Sequence, residues 1–146
     1  MEFNNINIKL SKKFIKRSEE DLKVAELLLK NKDYADSTYH SQQVGEKSGK
    51  ALLILEGKFV RDHIVSYLLQ KLKIKEINEI VIKTKNLEKH WIKPRYPIPF
   101  DEKIWDPLEE YNEKIAREAL TNAKFVLYSI KKILKEKYNL ELENEK

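Results

Sequence analysis

Residues 33–57 read DYADSTYHSQQVGEKSGKALLILEG, and the fold is decided by how they are taken. Asp33 can cap a helix and Gly57 can end one, with no proline between them. On that helix Tyr39, Gln43, Glu46 and Lys50 lie four, three and four residues apart, a spacing that puts all four on one face. A solvated face usually carries scattered Lys and Glu. A row that mixes an aromatic, an amide and an ion pair points instead to a groove with a job, without naming the job. A second stripe, Thr38, Ser41, Gly45, Ser48 and Leu52, is built mostly of small side chains, and Gly49 follows Gly45 by four residues. Each mid-helix glycine costs roughly 1 kcal/mol relative to alanine. Close approach of another helix, within a bundle or across a dimer axis, is the favoured compensation; drift at an unimportant surface is the alternative.

Upstream, Ile15, Ser18, Leu22, Ala25 and Leu29 alternate three and four apart, with Phe14, Val24 and Leu28 beside them. That is the buried stripe of a first helix, broken at Asn31-Lys32-Asp33. Downstream of Gly57, Asp62 is expected to cap a short third helix holding Ile64, Leu68 and Leu72. Another helical pattern follows through Ile77, Ile80, Val81, Thr84, Leu87 and Trp91. Residues 94–107, PRYPIPFDEKIWDP, hold all four prolines, which exclude helix across most of that stretch. Tyr96, Ile98, Phe100 and Trp105 make it too apolar to dangle in water, so an ordered loop is expected. Asp106, Pro107 and Glu109 form a start signal for the last helix, whose stripe runs Leu108, Tyr111, Ile115, Asn122, Val126, Ile130 and Ile133. These elements predict an all-α fold in a single domain spanning 1–146, with its core at about 10–137 and a frayed tail at 138–146.

The 146 residues suffice for one real core, and 41% of them are apolar. There is no cysteine, so disulfide and thiolate chemistry are excluded. No apolar run approaches the ~18 residues of a membrane span, and the N-terminus lacks the pattern of a signal peptide. A cytoplasmic protein that does not enter the membrane is expected. Charged residues make up 36%, mostly Lys and Glu, with Arg at only four positions. The net charge of +5 is uneven: residues 1–69 carry +2, residues 70–95 carry +5 and residues 96–146 carry −2. A local basic patch attracts phosphate, in a nucleotide or in RNA. A solvated Lys-rich helix is the other reading of the same segment.

Three glycines cannot build a phosphate-cradling loop, and His40, His63 and His90 fall on separate elements without metal-ligand spacing. No metal site and no cofactor are expected. Metal-independent RNA cleavage would need histidine for proton transfer and a cation for the developing charge. His63 beside Arg61, and His90 with Lys85 or Arg95, are the weak candidates for it. Each histidine could equally cap a helix, sit on the surface or anchor a loop. Arg95 on a proline-fixed loop is suited to a phosphate or carboxylate, or it holds the loop down by capping carbonyls or pairing with Glu46.

The run Ser18-Glu19-Glu20-Asp21-Leu22, Ala25-Glu26-Leu27-Leu28, Asp33-Tyr34-Ala35-Asp36, Tyr39, Gln42-Gln43, Glu46-Lys47, Lys50-Ala51-Leu52, Gly57, His63 and Arg95-Tyr96-Pro97 resembles a HEPN domain (higher eukaryotes and prokaryotes nucleotide-binding), over about residues 10–135. The resemblance implies an up-and-down bundle of four main helices plus a short extra helix, like the substrate-binding subunit of a nucleotidyltransferase. It also implies a homodimer, nucleotide binding, and a minimal nucleotidyltransferase as partner in a toxin–antitoxin-like pair. HEPN ribonucleases carry Arg, four to six residues, then His. Lys85-x4-His90 is the nearest form here, and lysine lacks the planar fork of donors. The expectation is therefore a non-catalytic protein that binds nucleotide or RNA phosphate through Tyr39, Gln43, Glu46, Lys47, Lys50, His63, Arg95 and Tyr96. A metal-independent ribonuclease and a pure protein-interaction module are the alternatives.

Overall fold

Two long helices at the start of the chain meet along a seam of serines. The structure is a computed structural model that describes residues 5–142. Helix α1 spans Asn5–Lys30 and α2 spans Tyr34–Leu55. Lys32 adopts a left-handed conformation (φ 65°) and reverses the chain between them. Ser11 Oγ donates to the Ala51 carbonyl (2.7 Å) and Ser37 Oγ to the Ala25 carbonyl (2.8 Å), which fixes the pair as antiparallel. Midway, Ser18 Oγ bonds to both the Val44 carbonyl (2.9 Å) and Ser48 Oγ (2.7 Å). Each of these buried hydroxyls thus has a partner, and the small side chains let the helices approach. Asp33 occupies the N-cap position of α2, but its carboxylate takes a hydrogen bond from Asn31 Nδ2 (2.8 Å) rather than capping.

The other long helices are α4 (Ile77–Glu88) and α6 (Glu113–Tyr138). Lys131 pairs with Glu19 (2.8 Å) and Lys124 with Glu26 (3.4 Å), so α6 runs antiparallel to α1 and hence parallel to α2. His90, just past the end of α4, meets Tyr111, just ahead of α6, at 2.7 Å, so α4 runs antiparallel to α6; the four main helices run up, down, up and down, and the fold is all-α. Leu52, Leu53, Leu127, Ile130 and Leu134 are fully buried at its centre. Both mid-helix glycines face close neighbours within the chain, as the favoured reading expects. A Cβ on Gly45 would lie 2.7 Å from Leu87 Cδ1, and one on Gly49 would lie 2.8 Å from Val65 Cγ2.

The expected third helix shrinks to one turn, α3 (Ser66–Leu69). Asp62 is not its cap; its carboxylate meets Ile64 N at 3.4 Å and His63 Nδ1 at 3.2 Å. The cap comes instead from Glu88 at the end of α4, whose carboxylate accepts from Val65 N (2.7 Å), Ser66 N (3.1 Å) and Ser66 Oγ (2.6 Å). The expected start of the last helix also divides. Asp106 and Pro107 begin a separate turn, α5 (Pro107–Glu110), where Asp106 accepts from Leu108 N. The chain then extends through Tyr111, and Asn112 caps α6 by accepting from Ile115 N (3.0 Å). Leu108 is consequently 87% exposed and does not belong to the buried stripe.

Inside the proline-rich loop lies a small antiparallel hairpin, β1 (Ile98–Phe100) and β2 (Lys103–Trp105), with Pro99 opposite Ile104. The fold therefore adds a hairpin and a second short helix to the bundle that was expected. The C-terminal segment also departs from expectation. Asn139 is left-handed (φ 55°) and turns the chain back, so that Tyr138, Leu140 and Leu142 are buried rather than frayed. The remainder of the expected tail, 143–146, lies outside the described residues.

Candidate functional site

Three members of the polar row on α2, Gln43, Glu46 and Lys50, are wired together through a residue that the row did not include. Gln43 Nε2 donates to Gln42 Oε1 (2.8 Å), and Gln42 Nε2 donates to Glu46 Oε1 (3.0 Å). Lys50 Nζ completes the chain on Glu46 Oε2 (3.0 Å). Glu46 and Lys50 are each only 11% exposed, so this ion pair is shielded rather than a surface pair. Gln42 was not a candidate by sequence because it lies one position off the row. Its burial comes from packing that no local pattern records.

Above the row, the segment after α4 brings an arginine and several rings together. Arg95 places its guanidinium over Tyr39 (4.7 Å), Trp91 (4.9 Å) and Tyr96 (5.3 Å). Such contacts hold a cation by the negative faces of the rings. Arg95 Nε donates to the Trp91 carbonyl (2.7 Å). Among the described residues this is the only hydrogen bond of its guanidinium, so both terminal nitrogens are left for an anion. Of the structural roles foreseen for Arg95, carbonyl capping is the one observed, and Glu46 is engaged by Gln42 and Lys50 instead. His63 stacks flat on Trp91 (3.7 Å between centroids, 5° between planes), with Nδ1 3.2 Å from Asp62. Tyr39, His63, Arg95 and Tyr96, nominated separately by sequence, therefore converge around Trp91, which was not nominated.

Lys47 departs from that group. It reaches across the α1–α2 seam to Asp21, which also meets His40 Nδ1 (3.1 Å). Asp21 is 5% exposed. Burial disfavours its charge, but the hydrogen bonds and charges of His40 and Lys47 prevail and hold its carboxyl below the usual carboxylate range. The carboxylate fixes one imidazole nitrogen, the arrangement that orients a general base. Sequence alone carried no sign of it, because Asp21, His40 and Lys47 come from two helices.

His90 has a structural partner. Its Nδ1 shares a hydrogen bond of 2.7 Å with the Tyr111 hydroxyl, and the two rings meet edge to face. Burial, reinforced by the charges of Lys89 and Lys93, lowers its pKa to about 4. Burial likewise raises the Tyr111 phenol. Lys85 is exposed on α4 and has no ion pair among the described residues. Nor do three or more of the described His, Asp and Glu side chains gather as metal ligands. No helix among them is long and apolar enough to cross a membrane.

This bundle, with its α2 polar row and the Arg95 cluster, defines a class. The sequence model of the HEPN domain matches residues 11–134, and the chain belongs to the HEPN family. It is 48% identical to a Methanocaldococcus jannaschii protein named "Putative toxin MJ1304", over 96% of this chain and 98% of that one. Two solved structures share the fold. TT1696 from Thermus thermophilus superposes with a TM-score of 0.71 at 26% identity, covering 84% of this chain and 96% of the other. ST0689, described as an archaeal HEPN homologue, gives a TM-score of 0.70 at 30% identity, covering 86% and 98%.

Proposed function

We propose that this HEPN protein is a cytoplasmic homodimer with a toxin-like role, paired with a minimal nucleotidyltransferase, and that it binds nucleotide or RNA phosphate without cleaving it. The observation that carries this reading is the Arg95 cluster. A guanidinium steadied by Tyr39, Trp91 and Tyr96, with both terminal nitrogens unengaged, is built to grip a phosphate. The rings beside it offer faces on which a base can stack. The toxin-like role draws support from the name of the 48% identical relative. The non-catalytic part draws support from His90, whose Nδ1 is tied to the Tyr111 hydroxyl and whose imidazole is kept neutral by burial, so it carries no second proton for a leaving group at neutral pH.

Fluorescence anisotropy with a labelled single-stranded RNA, at low and at physiological salt, tests the reading. The expected result is salt-sensitive binding that Arg95→Ala weakens at least tenfold. No binding at low salt would overturn it. Light scattering on the purified chain, and co-purification with the nucleotidyltransferase, test the dimer and the partner.

The ribonuclease reading moves to a different residue. Asp21 orients His40 and Lys47 supplies a nearby cation, which is the minimum for metal-independent phosphodiester cleavage. RNA digestion in EDTA that disappears with His40→Ala would establish it; intact RNA after long incubation would end it.

A further inference from the structure

Asp101 (φ 54°) and Glu102 turn β1 into β2 and leave Pro99 opposite Ile104 at the middle of the ladder. In an antiparallel ladder, pairs that exchange two hydrogen bonds alternate with pairs that exchange none. Pro99 has no amide hydrogen, so Pro99–Ile104 is a pair of the second kind. The N–H and C=O of Ile104 therefore point away from β1, off the outer edge of β2. Among the described residues neither group meets a hydrogen-bond partner, and Ile104 is 71% exposed.

Side chains alternate between the two faces of β2. Trp105 faces the body of the protein, where its Nε1 donates to the Lys93 carbonyl (2.8 Å) and its ring meets Tyr111 edge to face (5.9 Å). Ile104 is on the opposite face. The contacts of Trp105 hold the strand in place, so little conformational freedom remains to be lost when the edge is paired.

We infer that this edge docks on the same edge of a second copy, with β2 antiparallel to β2 about a two-fold axis at Ile104. The inference rests on the homodimer reading above and gives it a surface. Ile104 is the middle residue of a three-residue strand, so this register uses all of it. Each Ile104 amide donates to the Ile104 carbonyl of the other copy, and the two exposed side chains meet as a cross-strand apolar pair. Lys103 falls opposite Trp105 of the second copy, an ammonium beside an indole, and the axis repeats that pair. A register centred on Lys103 would instead bring two ammonium groups face to face. One edge thus supplies the donor, the acceptor, the cation and the ring, and no strand of another sequence is needed. The two-fold consumes that edge in both copies, so assembly stops at two. Three residues a side make a small interface, at the weak end of specific contacts, and association should depend on concentration.

Sedimentation of the full chain over a concentration series tests the inference. The unaltered chain should pass from monomer to dimer. Ile104→Pro, which removes an amide hydrogen the hairpin itself does not use, should weaken association at least tenfold. Ile104→Lys and Ile104→Glu should each stay monomeric, because like charges then face one another across the axis, and an equimolar mixture of the two should associate again. That rescue keeps the test independent of any loss of fold in the proline variant. The chain has no cysteine of its own. Ile104→Cys should form a disulfide-linked dimer on oxidation, since the Cα atoms of such a pair lie about 5.5 Å apart, within bridging range. Phe100→Cys, similarly exposed on β1, should not. A dimer unchanged by Ile104→Pro and by either charge would overturn this surface and leave the homodimer reading standing. A chain that stays monomeric throughout would overturn both. No association in the mixture of charged variants, or an edge that pairs only with a strand of a different protein, would also overturn the inference.

Discussion

Glu88 holds Ser66 by both its amide and its hydroxyl, at 3.1 and 2.6 Å, from 22 residues further along the chain. The same carboxylate takes the Val65 amide, so the start of the one-turn helix α3 is organised entirely by the end of α4. A carboxylate accepting backbone amides is a strong, charge-assisted contact.

Glu88→Ala should therefore cost about 2–3 kcal/mol, as hydrogen bonds to a charged group do when the buried donors are left alone. Urea denaturation measures it. Asp62→Ala should change stability by less than about 0.5 kcal/mol, the range for surface substitutions, because Asp62 is half exposed and makes only a long contact to Ile64 N and a surface contact to His63.

The two helical glycines should respond differently to alanine. Each substitution gains about 1 kcal/mol of helix propensity. At Gly45 the obstacle is the terminal Cδ1 of Leu87, which can rotate away, so the net change should be near zero. At Gly49 the obstacle is Cγ2 of Val65, a β-branched side chain with little rotamer freedom, and Leu69 lies 3.3 Å away. Overpacking there costs about 1–3 kcal/mol, so Gly49→Ala should be the more destabilising of the two in the same urea assay.

His90 sets an acid limit on stability. Its pKa is about 4 in the folded chain, against about 6.5 when free. The unfolded chain therefore binds more protons between those values, and stability falls as pH drops through that window. The loss is smaller than the ~3 kcal/mol of a fully shielded group, because His90 is only partly buried and solvent screens it. Thermal melts between pH 7 and 4 should show a declining Tm, and His90→Gln should flatten the decline. Loss below about pH 4 belongs to Asp21, whose depressed carboxyl stabilises the fold until it is protonated.

The shielded pair on α2 should be costly to break from one side. Glu46→Ala leaves Lys50 charged, 11% exposed and without its partner, and also strips an acceptor from Gln42. A loss of about 3 kcal/mol is expected. Glu46→Leu/Lys50→Met should recover most of it, since a desolvated pair contributes little over an apolar replacement. Equal losses in the single and double variants would contradict this.

The parts of the fold that were legible in the sequence are those whose cause is local. The periodicity of α1 and α2, the reversal at Asn31–Asp33 and the need for close neighbours at Gly45 and Gly49 all follow from spacing within a helix. What escaped was set from a distance. Asp62 looked like a cap because it precedes an apolar run, but Glu88 arrives from another element and outcompetes it. Asp106, Pro107 and Glu109 announced a helix correctly, yet that helix lasts one turn before Asn112 starts another. At the candidate site, Tyr39 and Arg95 were readable because an aromatic in a polar row and an arginine between prolines are locally unusual. Trp91, Asp21, His40 and Gln42 look like ordinary residues until the bundle brings their partners to them.

The short hairpin after α4 carries two exposed apolar residues, Phe100 and Ile104. Such a ribbon would ordinarily recruit a strand from another molecule and lengthen sideways into an aggregate. Pro99 sits in the middle of β1 and has no amide hydrogen to offer, and Pro97 just ahead of it has none either. That margin cannot template an incoming strand. A sticky surface is thus displayed to the solvent with one of its two borders closed to fibre growth.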